Sequence, residues 1–62
     1  MSVELLCEFI TETDDAVFIG LLDDRRLWVP LSQVEKIKKK PQFDGVYGKI
    51  KITNWFANKA GI

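Results

Sequence analysis

Apolar and polar residues alternate in short runs along this chain, and Asp, Gly and Pro separate the runs. Val3, Leu5, Cys7 and Phe9 fall on one side of an extended segment. Glu4, Glu8 and Glu12 fall on the other, with Leu6 and Ile10 between them. A helix is the rival over residues 3–13, since Leu6 and Ile10 stand four apart. The strand is favoured because Glu4 and Glu8 would repel at helical spacing and because Phe-Ile-Thr closes the segment with β-formers. Asp14-Asp15 reads as a turn.

Residues 16–22, AVFIGLL, are apolar on both sides, as in a central strand or a barrel strand. Gly20 inside this run predicts a bulge or bend. Asp23-Asp24-Arg25 predicts a hairpin turn and Arg26 to Val29 a short strand. Pro30 ends that strand, having no N–H for the ladder. Ser32-Gln33-Val34-Glu35 fits a capping box, so a short helix is expected, with Val34 and Ile37 on its apolar side. Lys38-Lys39-Lys40 suits its C-terminus and Pro41 would stop it.

Residues 46–53, VYGKIKIT, alternate again, with Val46, Ile50 and Ile52 inward and Tyr47, Lys49 and Lys51 outward. Thr53 or Asn54 can cap a last helix beginning at Trp55. Gly61 stands where a left-handed residue closes a helix, and Ile62 can fold back as the apolar partner of a Schellman ending. The order strand, strand, strand, short helix, strand, short helix predicts a mainly β domain with short helices. Its expected form is a small curled sheet, or an SH3-like or reduced OB-like barrel. A three-stranded sheet against two helices is the alternative.

Length sharpens this. The 62 residues make one small domain, and such a domain buries only about 60% of its unfolded surface. Cys7 is the lone cysteine and there is no His. An internal disulfide is therefore impossible and a zinc site has no adequate ligand set. Packing must hold the fold, with help from a homo-oligomer if one forms. Cys7 is expected to be a small core residue. The start of the chain lacks the basic region of a signal peptide, and no run reaches the roughly 18 apolar residues of a membrane span. A cytoplasmic location without membrane contact is the expectation.

Catalysis is not expected. Without His the commonest general base is missing, and neither a Ser/His nor a Cys/His pair can form. Gly45 and Gly48 bracket Val-Tyr and open no helix, so no phosphate-binding loop is present. No cofactor is implied.

Charge narrows the function. Net charge is zero, yet the first 24 residues hold Glu4, Glu8, Glu12, Asp14, Asp15, Asp23 and Asp24 and no base. The rest holds nine bases against Glu35 and Asp44. Interleaving would make ordinary surface ion pairs worth little each. Separation onto two sides would make a bipolar molecule, suited to nucleic acid or to steered protein docking.

Two function classes follow. In the first, Lys36, Lys38, Lys39, Lys40, Lys49 and Lys51 contact nucleic-acid phosphates while Tyr47 stacks on a base. In the second, an inhibitor or adaptor meets a host protein through Glu4, Glu8 and Glu12 or through an exposed Trp28. A solvated lysine run, and carboxylates that guard a strand against edge pairing, are the plainer explanations of the same residues.

Trp28-Val29-Pro30-Leu31-Ser32-Gln33-Val34, with the closing residues 50–62, resembles a group of small phage and prophage proteins. These share a Trp-aliphatic-Pro-x-Ser-Gln-aliphatic step and a Trp-led final helix. Leu31 and Thr53 depart from the Lys and Pro of that pattern. The resemblance implies a phage setting, with an accessory or host-directed binding role in the host cytoplasm.

Overall fold

A computed structural model describes residues 2–62. Among them the chain forms strands β1 (Ser2–Glu12), β2 (Ala16–Leu21), β3 (Arg26–Pro30), β4 (Val34–Gln42) and β5 (Gly45–Thr53). A 3-10 turn at Leu31–Gln33 joins β3 to β4, and helix α1 (Asn54–Ala60) follows β5. The protein is mainly β.

The turns follow local chemistry. Thr13 Oγ1 accepts from the amides of Asp15 (3.3 Å) and Ala16 (3.2 Å), which closes the β1–β2 hairpin. At the β2–β3 turn Asp24 adopts φ 70°, a left-handed conformation that Asp tolerates. Asp23 accepts there from the Arg25 amide at 3.2 Å.

All ladders are antiparallel, in the order β3-β2-β1-β5-β4. One face buries the core of Cys7, Phe9, Val17, Ile19, Val29, Ile50, Ile52 and Ala57. The strand members are the inward positions of the alternation, and Ala57 comes from α1, which packs on β1 and β5. Each fully buried Ile or Val contributes about 1.5–3 kcal/mol, so this small set carries much of the stability. Among the described residues no helix packs on the opposite, outer face.

Helix α1 starts and ends as its sequence predicts. Thr53 caps it, accepting from the Phe56 amide at 3.2 Å and donating to Gln33 Oε1 at 2.6 Å. Gly61 turns left-handed at φ 76°. Its amide reaches Asn58 O at 3.3 Å and the Ile62 amide reaches Ala57 O at 2.9 Å, which is the Schellman pair.

The helix predicted from Ser32 to Lys40 does not form. The capping box is unused: no side chain caps the 3-10 turn, and residues 34–42 pair as β4 against β5. An isolated two-turn helix is marginal in water, whereas β4 covers Ile50 and Ile52 and tucks Ile37 against the core. Pro41 lies inside this edge strand, where a missing N–H is tolerated.

The bulge expected at Gly20 lies instead on β1. Gly20 pairs regularly with Glu8 and Arg26, while Ile10 is the extra residue between Phe9 and Thr11. A second irregularity leaves Glu35 unpaired between Val34 and Lys36.

No ladder joins β3 to β4, so the expected barrel is not closed and the sheet stays open. Four strand spacings of about 4.8 Å would put the edges of a flat sheet about 19 Å apart. The three-residue link spans at most about 14 Å. The sheet is therefore bent, without closing.

Candidate nucleic-acid interface

Residues directly opposite in an antiparallel pair point to the same side of a sheet. Lys36 faces Lys51, Lys38 faces Lys49 and Lys40 faces Tyr47 across β4–β5. On the far side of β5, Glu4 faces Lys51, Leu6 faces Lys49 and Glu8 faces Tyr47. Since Ile37 and Ile50 point into the core, Lys36, Lys38, Lys40, Lys49, Lys51 and Tyr47 all lie on the outer face. The sequence alternation placed Tyr47, Lys49 and Lys51 there. The β4 lysines join them only because β4 is a strand.

Lys39 does not belong to this set. It points to the core side, where its Nζ lies 2.7 Å from Glu12 Oε1 and 5.7 Å from the Phe9 ring centre. Glu12 likewise leaves Glu4 and Glu8. The extra residue at Ile10 shifts the alternation, so Glu12 pairs opposite buried Val17. The acidic trio expected on one strand face is reduced to a pair.

The charge sets are neither fully apart nor fully mixed. Lys49 Nζ stands 3.8 Å from Glu4 Oε1, and Arg25 binds Asp23 at 2.7 Å. Among the described residues Lys36, Lys38, Lys40 and Lys51 make no ion pair within 4 Å. A basic strip over β4–β5 therefore borders Glu4 and Glu8 on β1.

Tyr47 sits at that border. Partial burial raises its phenol pKa above the ordinary 10, and the Asp44 and Glu8 carboxylates raise it further. The phenol stays protonated and can donate. In the β2–β3 turn, Asp23 is held below the usual carboxylate range, chiefly by the Arg25 amide.

Trp28 is 47% exposed on the outer face, opposite Phe18, with ring centres 4.9 Å apart and planes tilted by 32°. Phe18 was not a candidate from the sequence. Its signal lay in the AVFIGLL run, where Val17 and Ile19 take the core positions and leave Phe18 outward. Exposed Leu6 and Ile10 share this face. A groove of about 330 Å³ is lined by Leu6, Glu8, Gly20, Leu22 and Tyr47, among others.

Among the described residues no group of three or more Cys, Asp or Glu is gathered as metal ligands. No described helix is long and apolar enough to cross a membrane. No protein-family model matches the chain, and neither a curated protein nor a solved structure shows significant similarity to it.

Proposed function

We propose that this chain is a small, non-enzymatic, phage-type binding protein that contacts single-stranded nucleic acid with the outer face of its sheet. Lys36, Lys38, Lys40, Lys49 and Lys51 hold phosphates, and Tyr47 packs against a base. Lys39, engaged by Glu12 on the other side, takes no part. One observation carries the reading: Lys36–Lys51 and Lys38–Lys49 are like charges directly opposite one another on an uncovered face. Such pairs destabilise a sheet. A polyanion laid across them turns that repulsion into attraction and releases counterions.

The test is oligonucleotide binding measured by fluorescence anisotropy at several salt concentrations, with DNA and RNA strands. Affinity is expected to fall linearly on logarithmic axes, by about 0.7 in slope for each phosphate contacted. Lys38→Glu with Lys49→Glu should weaken binding and flatten the slope. Absence of binding at low salt, or affinity indifferent to salt, removes the proposal.

The second reading is a protein-directed inhibitor or adaptor, favoured by the half-exposed Trp28. Its acidic component is weaker, because Glu12 faces away and Glu4 is drawn to Lys49. Capture from host lysate separates the two readings: nuclease treatment strips the partners of a nucleic-acid binder and spares those of an adaptor.

A further inference from the structure

We infer that the Phe18–Trp28 pair is a base-stacking platform for the same single strand whose phosphates the lysines hold. The inference rests on the nucleic-acid reading above and extends its site across the sheet. The register shows how. Lys40, Tyr47, Glu8, Gly20 and Arg26 lie opposite one another in turn, forming one transverse row over all five strands on the outer face. Followed along the sheet, that row covers about 19 Å, with a cation at each end.

Trp28 and Phe18 stand one outward position further along β3 and β2 than Arg26 and Gly20. Between the lysines and this pair runs the groove beside Glu8, Gly20 and Tyr47. A strand crossing from β4 toward β3 meets ammonium groups first, then Tyr47, and then the indole.

Three features fit bases at the far end better than phosphates. Glu4 and Glu8 repel phosphates from β1 and so hold the backbone on the β4–β5 side. Phe18 already packs against Trp28, so the indole is held in place and loses little freedom when a base joins it. Nearly half of its surface stays exposed among the described residues. Aromatic rings stack on any base, so this platform adds affinity without sequence preference.

The experiment uses the full chain carrying Trp55→Phe, which leaves Trp28 as the lone indole. An oligothymidine of about twelve nucleotides is compared with an abasic phosphodiester of equal length. The oligothymidine should quench Trp28 fluorescence and bind roughly tenfold more tightly than the abasic strand. Trp28→Ala should reduce that preference to what Tyr47 alone supplies and leave the salt slope unchanged. Salt-dependent binding without quenching of Trp28 overturns the platform and leaves the lysine reading standing, whatever preference Tyr47 supplies. Failure of both strands to bind overturns both. The quenching needs no change at Trp28, so the test holds even where Trp28→Ala does not fold.

Discussion

Cys7 is buried in the core, paired across the sheet with Leu21 and Gly48, and burial pushes its thiol pKa up from the ordinary 9.0 to about 11. A thiol held protonated is a poor nucleophile. Iodoacetamide should therefore label Cys7 in urea and spare it in the native protein, as read by mass spectrometry. The same shift sets an alkaline limit. Below about pH 9 the thiol is protonated in both folded and unfolded chains. Between about pH 9 and 11 the unfolded chain releases the proton and the folded chain keeps it, so stability falls as pH rises. Urea midpoints should drop across this window more steeply for the natural chain than for Cys7→Ala. The ends of α1 follow equally local rules. Thr53→Ala removes the cap and the bond to Gln33, and should cost about 1 kcal/mol or somewhat more. Gly61→Ala meets no neighbouring atom, so its cost, again about 1 kcal/mol, comes from the left-handed backbone alone.

At the scale of elements, β1, β2, β3, β5 and α1 were all legible, because each carries its own period or cap. β4 was not. Ser32 to Glu35 spells a helix start, and Lys38 to Pro41 spells a helix end. Both signals are worth about a kilocalorie each, less than the gain from pairing eight residues with β5 and tucking Ile37 against the core. Non-local pairing won over local punctuation. The β4–β5 ladder depends on a close backbone approach at Gly48, where a Cβ would collide with the Lys38 carbonyl oxygen. Gly48→Ala should therefore cost about 2 kcal/mol or more, measured by urea unfolding. Since this ladder also aligns the lysines, the variant should lose oligonucleotide affinity in the same step.

For the molecule as a whole, the decisive property is an outer face with no helix over it, lysines at one side and aromatics at the other. Cross-strand lysine pairs on such a face set stability against binding. Lys38→Glu places a carboxylate opposite Lys49 and should raise stability by about 0.2–1 kcal/mol while weakening oligonucleotide binding. A chain that is more stable but binds less, seen by thermal melting and anisotropy together, is the signature of lysines kept for a ligand. If Lys38→Glu destabilises instead, the lysine pairs have a structural role and the argument from repulsion fails.

By itself the sequence determined which residues point inward along each well-formed strand, where the chain turns, and how the last helix is capped and closed. These follow from a period of two, from Thr and Asp side chains that bond nearby amides, and from a glycine free to turn left-handed. Only the tertiary structure decided that β4 is a strand, that Lys39 and Glu12 leave their neighbours for the core side, and that Phe18 and Trp28 share a face with the lysines. Those outcomes rest on a bulge at Ile10 and on cross-strand register. Both are set by residues far apart in the chain, and no local period encodes them.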